Sequence, residues 1–162
     1  MTGPTTTLTA PFTIRNATDT DLTAIEALLA DNHLPTEGVR ESLRDFLVAE
    51  SGDELVGVVG MEYCGDFGLL RSTAVRPERR GQRIARRLVE TIIADAESRG
   101  VHSLYLLTTT AERYFPSFGF RQTTRDTVPD PIRATGEFKD ACPASATVMH
   151  LPLRTNEARA DF

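Results

Sequence analysis

Tryptophan is absent from this chain, lysine occurs once, and cysteine only twice. Two thiols, Cys64 and Cys142, are too few for a disulfide framework, so a reducing cytoplasm is the expected compartment and a buried free thiol the expected state of each. Histidines 33, 102 and 150 show no ligand spacing with either cysteine, and no metal is expected. No apolar run approaches the roughly 20 residues that cross a bilayer, which argues against a membrane span. Positive charge is in deficit. Lys and Arg number 18 against 23 Asp and Glu, a net charge of −5 that argues against general nucleic-acid binding. The first eleven residues lack the basic and apolar regions of a signal peptide and are expected to be a loose tail.

What is present describes one domain over residues 12–154, with a polar tail at 155–162. The 162 residues are 40% hydrophobic and 25% charged, ordinary for a globular protein with a real core. Phe12 to Arg15 reads as a strand. Thr18 and Asp21 make a capping pair before Leu22, Ile25, Leu28 and Leu29 at helical spacing. A second short helix is expected from Glu37 to about Arg44. Two apolar runs flanking Ser51-Gly52-Asp53 read as a hairpin, and Gly68 to Val75 as a further strand. Ile84, Leu88, Ile92 and Ala96 make the stripe of a long helix ending at Arg99-Gly100. That helix can return the next strand, from Val101 to Thr109, parallel to its predecessor. A short helix from Ala111 to Phe118 follows, then a strand from Phe120, a helical turn with Asp130 as cap and Pro131 first in the helix, and a strand from Ala146 to Leu151. The fold class is therefore α/β, an α+β mixed sheet with helices.

The densest signal is Ala74 to Val89, A-V-R-P-E-R-R-G-Q-R-I-A-R-R-L-V. A strand ends, a proline interrupts, and an arginine-rich loop opens the long helix. Such a junction offers unpaired N–H groups and the positive end of the helix dipole to phosphate. The bland alternative is a solvated helix face, with Arg86 pairing Glu90 at i,i+4.

That element order and V-R-P-E-R-R-G-Q-R-I-A resemble the GCN5-related N-acetyltransferase (GNAT) superfamily. The family's Gln/Arg-x-x-Gly-x-Gly/Ala signature maps onto Arg80, Gly81, Gln82, Arg83, Ile84 and Ala85, with Arg83 in the place of glycine. The run A-E-R-Y-F-P-S-F-G-F is similar to the family's short helix before Gly-Phe. L-L-R-S-T-A-V, L-Y-L-L-T-T-T-A-E and I-R-A-T-G-E-F-K-D-A-C-P-A-S-A are similar to its arsenic-resistance-associated branch, itself akin to short amino-acid N-acetyltransferases. The resemblance implies a mostly antiparallel sheet with a parallel pair at the cofactor cleft, acetyl-coenzyme A as cosubstrate and no metal. It implies a small-molecule amine as acceptor, either an amino acid or a glutamate-like arsenical or phosphinate, in a monomer or homodimer binding neither membrane nor nucleic acid. Protein or peptide acetylation and a non-enzymatic acetyl-coenzyme A or metalloid sensor stay open as alternatives.

By the same resemblance, amides from Gly81 to Arg86 hold pyrophosphate, with Arg80 at the motif's first position, and the strand at Thr73, Ala74 and Val75 holds the pantetheine arm and an oxyanion. An arginine at position 83 is expected to keep right-handed helical dihedrals. The family's tyrosine acid falls on Phe115. Its neighbour Tyr114 is the candidate instead, although one residue turns a helix by about 100°. Glu62 is the candidate base, or equally an edge carboxylate pairing an arginine. Arg71, expected to share a strand face with Thr73 and Val75, is a candidate for the acceptor carboxylate. Thr109 and Arg133 are further acceptor candidates, Arg133 having Glu137 as a competing partner at i+4. His33 and Glu37 border the same side.

Overall fold

The computed structural model describes residues 11–136, 138–139 and 145–153. Seven strands form one sheet: β1 (Thr13–Asn16), β2 (Leu47–Ser51), β3 (Glu54–Cys64), β4 (Phe67–Val75), β5 (Ser103–Thr108), β6 (Arg121–Thr123) and β7 (Thr147–Pro152). Their spatial order is β1-β2-β3-β4-β5-β7-β6. Every pair is antiparallel except β4 with β5. The helices are α1 (Leu22–Asp31), α2 (Ile84–Ser98) and the single turn α3 (Asp130–Arg133). No helix among the described residues is long and apolar enough to cross a membrane.

Both sheet faces are covered. Helix α2 presses Ile84, Leu88, Val89, Ile92 and Ala96 onto Leu47, Val59, Met61, Leu70 and Val75. Each large aliphatic side chain so buried contributes about 1.5–3 kcal/mol. On the opposite face α1 packs Ile25, Leu28 and Leu29 with Phe46, Val48, Val58 and Ala74. Ile132 of α3 joins Leu69, Tyr105 and Val148 on that face. Phe46 lies so close over β3 that a Cβ on Gly60 would overlap its ring. Only glycine admits it there.

Two irregularities of β4 shape the site. Val58 faces Ala74 but Gly60 faces Arg71, so two steps on β3 answer three on β4. The extra residue is absorbed at Ser72, whose φ of +60° is unusual for serine. The bulge corrects the expectation that Arg71, Thr73 and Val75 share a face. Arg71 lies on the α1 side, while Val75 packs with α2. The second irregularity is a parting. Strand β4 pairs with β5 only from Phe67 to Leu69, against Ser103 to Tyr105. Beyond that β5 follows β7 as far as Thr108, and β4 runs on alone to Val75 on that side.

Three expected helices differ. Instead of a helix over 37–44 there are turns and a 3-10 turn at Leu43–Asp45, because Gly38 takes φ +82° and breaks the ladder. The segment expected as a helix over 111–118 holds only a 3-10 turn at Phe115–Phe118. Pro116 there removes an N–H donor. Helix α3 begins at Asp130 itself after the extended Pro129, so Pro131 is second in it.

Candidate functional site

The parting of β4 from β5 meets the amino end of α2 and the turn at Tyr114 around a cavity of about 390 Å³. Ala74 and Val75 form its strand wall, and Arg79, Arg80, Gly81, Arg83, Ile84, Ala85 and Arg86 its loop and helix wall. The first hydrogen bond of α2 runs from Arg87 N–H to Arg83 C=O, at 3.0 Å. The amides of Ile84, Ala85 and Arg86 therefore have no partner inside the helix, and stand at the positive end of its dipole. A second cavity of about 670 Å³, between α1 and the start of β3, is lined by Asp31, Asp53, Glu54 and Glu78 with Arg76 alone as cation. That lining repels phosphate; the first attracts it.

Arg83 is the N-cap of α2 at φ +66° and ψ +17°, a left-handed conformation. This corrects the expectation of right-handed dihedrals. The residue keeps the backbone shape that glycine would supply, at a strain of about 1–2 kcal/mol from its Cβ. The other arginines of the wall are engaged. Arg79 donates from Nε to Gln82 Oε1 at 2.8 Å, and Arg80 to Asn32 Oδ1 at 2.6 Å, tying the loop to the end of α1. Arg86 donates to Ser117 Oγ at 2.7 Å, lies 4.5 Å over the Phe118 ring, and pairs with Glu90 at 3.5 Å. The Glu90 pairing is the helix-face alternative, and it coexists with a place on the cavity wall. Nothing in the arginine run of the sequence marks Arg79 apart from its neighbours.

Tyr114, not Phe115, stands on the cavity. Phe115 is 7% exposed and packs edge-on against Phe120. Tyr114 is held edge-on between Phe115 and Phe118, with centroids 5.4 and 5.3 Å away. Burial pushes its phenol pKa up, opposed by Arg86 and assisted by Glu90. The phenol thus keeps its proton at neutral pH, as a proton donor requires.

On the α1 face, Glu62 and Arg71 are joined at 2.6 Å, with the Arg71 side chain fully buried and that of Glu62 17% exposed. Arg71 also donates to Ser72 Oγ at 2.9 Å, at the bulge, and to the Pro35 carbonyl at 3.4 Å. Gly38 covers the pair so closely that a Cβ there would fall 2.9 Å from the guanidinium. The guanidinium is turned inward, to Glu62 and the loop after α1.

The remaining candidates are dispersed. Thr109 is exposed just past β5. Thr73 is half-buried where β4 has left β5. Arg133 is half-exposed and reaches Asp130 at 3.5 Å and the Arg125 carbonyl at 3.5 Å. Its expected partner Glu137 lies outside the described residues, as does Cys142. Cys64 is free but only half-buried, short of the expected burial, and that partial burial raises its thiol pKa. His33 ends α1 at φ +60°, and Glu37 is exposed.

Residues 42–122 match the model of the acetyltransferase (GNAT) domain. An N-acetyltransferase of Chlorobaculum tepidum without assigned function is 30% identical over 97 residues, which are 59% of this chain and 62% of that protein. N-acetylglutamate synthase of Neisseria gonorrhoeae, crystallised with coenzyme A and N-acetylglutamate, superimposes with a TM-score of 0.76 at 23% identity. The match spans 90% of this chain and 36% of the synthase. The ribosomal-protein-S18-alanine N-acetyltransferase of Escherichia coli gives 0.70 at 22% identity, over 90% of this chain and 96% of that one. The chain thus spans under two thirds of the first two relatives.

Proposed function

The chain belongs to the GNAT acetyltransferase family, and on that premise we propose that it moves the acetyl group of acetyl-coenzyme A to the amine of a small molecule. The observation that carries this reading is the cationic cavity where β4 leaves β5, with free helix amides on one wall and Tyr114 on another. Amides from Gly81 to Arg86 hold the pyrophosphate, with Arg80 steering the loop. The stretch of β4 that has left β5, at Thr73, Ala74 and Val75, pairs the pantetheine arm and offers N–H to the oxyanion. A neutral amine attacks the thioester carbonyl, the tetrahedral oxyanion collapses, and the C–S bond breaks. Tyr114 donates its proton to the leaving sulfur. A thiol pKa of ~8.5 makes that donation helpful rather than essential.

An amino acid is the favoured acceptor. Its α-amino group is less basic than a lysine side chain near ~10.4, so a larger fraction is neutral for Glu62 to serve as base through water. The loop after α1, seated on Arg71 through Pro35 and Gly38, closes the α1 face and suits a small acceptor better than a chain. Glutamate and glutamate-like arsenicals or phosphinates are the first acceptors to try, in keeping with the synthase likeness and the arsenic-linked motifs. Arg133 and Thr109 are the outer candidates for their carboxylate. Peptide N-termini form the second reading, favoured by the S18-alanine enzyme likeness.

The test is acetyl-coenzyme A consumption against amino acids, glutamate analogues, polyamines and an N-terminal alanine peptide. Turnover with an amino acid and none with the peptide is expected; the reverse overturns the acceptor. Coenzyme A binding without turnover on any amine would leave a sensor. Tyr114→Phe should lower kcat about tenfold, below the usual range for an acid because thiolate leaves well, with KM for acetyl-coenzyme A unchanged.

A further inference from the structure

Among the four arginines on the wall of the cosubstrate cavity, Arg83 stands apart. Arg79, Arg80 and Arg86 each reach a side chain of the protein, at 2.8, 2.6 and 2.7 Å respectively. The guanidinium of Arg83 makes no hydrogen bond or ion pair among the described residues, and the residue is exposed at the cavity rim. It is also the only non-glycine residue of this loop with a positive φ. A strained backbone is retained where its side chain has work that glycine could not do. Among the described residues the guanidinium anchors no other part of the protein.

From this we infer that Arg83 reads the 3′-phosphate of the cosubstrate and makes the enzyme prefer coenzyme A esters over their 3′-dephospho forms. The assignment rests on the proposed cosubstrate and on a division of labour within the cavity. Helix amides and the inner wall suit the pyrophosphate, whose two groups each carry a single negative charge. The phosphomonoester carries nearly two charges and hangs from the ribose at the solvent end of the molecule. A cation free to reorient at the rim matches it, and a planar guanidinium can grip two of its oxygens at once. The left-handed N-cap serves two ends. It lets the amides that follow begin the helix, and it places the side chain outside the helix rather than along its first turn.

The experiment measures the binding of coenzyme A and of 3′-dephospho-coenzyme A by calorimetry to the wild type and to Arg83→Asn, Arg83→Lys and Arg83→Gly. Asparagine and glycine both accept a left-handed backbone, so these variants remove the cation without adding strain. The wild type should bind coenzyme A about three- to tenfold tighter than the dephospho form, the range of a partly solvated charge-assisted contact. Arg83→Asn and Arg83→Gly should lose that ratio by weakening coenzyme A alone, and Arg83→Lys should keep most of it. Arg83→Gly should also melt at a higher temperature without ligand, as strain is released. Equal weakening of both ligands would move Arg83 to the pyrophosphate and overturn the inference, as would no change in either. Failure of the wild type to bind either ligand would overturn the cosubstrate reading along with it. Binding of both with a ratio indifferent to position 83 would overturn the inference alone.

Discussion

At the scale of single residues, Arg71 shows how a charge can look like a ligand site and be part of the frame. Its guanidinium is buried against Glu62, Ser72 and the Pro35 carbonyl, so removing it leaves a carboxylate and a loop without their anchor. Arg71→Met should cost about 3 kcal/mol in urea unfolding at pH 7, the range found when one partner of a buried pair is lost. Glu62→Met with Arg71→Met should cost less than Arg71→Met alone, because no charge is then stranded. A single variant of wild-type stability with only KM for an acidic acceptor raised would return Arg71 to the acceptor site. The sequence allowed Glu62 an arginine partner but could not name Arg71 or show that the pair is buried. Period-two reading assigns faces correctly only while a strand stays regular, and serine gives no warning of a left-handed bulge at position 72. The same limit explains Arg83, where residue type argued for a right-handed backbone and the loop imposed the glycine shape. Tyr114 was legible as a candidate, but its orientation was not. Phase within an expected helix says nothing about a turn that Pro116 keeps from becoming one.

At the scale of elements, periodicity carried the most. The stripe from Ile84 to Ala96 is the buried face of α2, and the apolar runs flanking Ser51-Gly52-Asp53 are the strands of the β2–β3 hairpin. The short pieces were harder, since a turn or two of helix forms only where packing favours it. The Thr18–Asp21 pair was legible as a cap, but its connection to the sheet was not. Asp21 accepts from Thr18 N–H at 2.8 Å and from Arg15 at 2.8 and 2.9 Å, while Arg15 also reaches Glu50 at 3.1 Å. The Arg15 guanidinium thus joins β1 and β2 to the Asp21 carboxylate before α1. Those Arg15 hydrogen bonds, aided by Thr18, lower its pKa from the ordinary 3.8 to about 2. A depressed carboxylate stabilises the fold fully above the unfolded pKa and loses that contribution as pH falls through the folded one. The window runs from about pH 4 down to about pH 2. The shift corresponds to about 1–2 kcal/mol once the 36% exposure of the Arg15 side chain is allowed for. Asp21→Asn should therefore unfold at lower urea than the wild type at pH 7, with the gap closing across that window. A gap that stays constant down to pH 2 would mean that the charge of Asp21 contributes nothing.

At the scale of the whole molecule, the sign of the net charge and the sign of the cavity oppose each other. A net charge of −5 would repel the proposed polyanionic cosubstrate at long range, and the four arginines of the cavity would attract it at short range. Salt separates the two. Remote carboxylates lie beyond the screening length of ~10 Å at 0.1 M and lose their influence early, whereas contacts within a few ångströms weaken gradually as counterions compete. If the cavity arginines govern binding, KM for acetyl-coenzyme A should rise about three- to tenfold between ~0.05 and ~0.5 M sodium chloride. The melting temperature, followed over the same range, should move little, because the core is apolar and the cavity rim adds little to folding. A KM that falls with salt would mean that the net field outweighs the local cations, and the arginine loop would then be the solvated helix face that its sequence also allowed. The direction of that one slope decides between the two readings of residues 79–87, and it does so without any substitution that could disturb the fold.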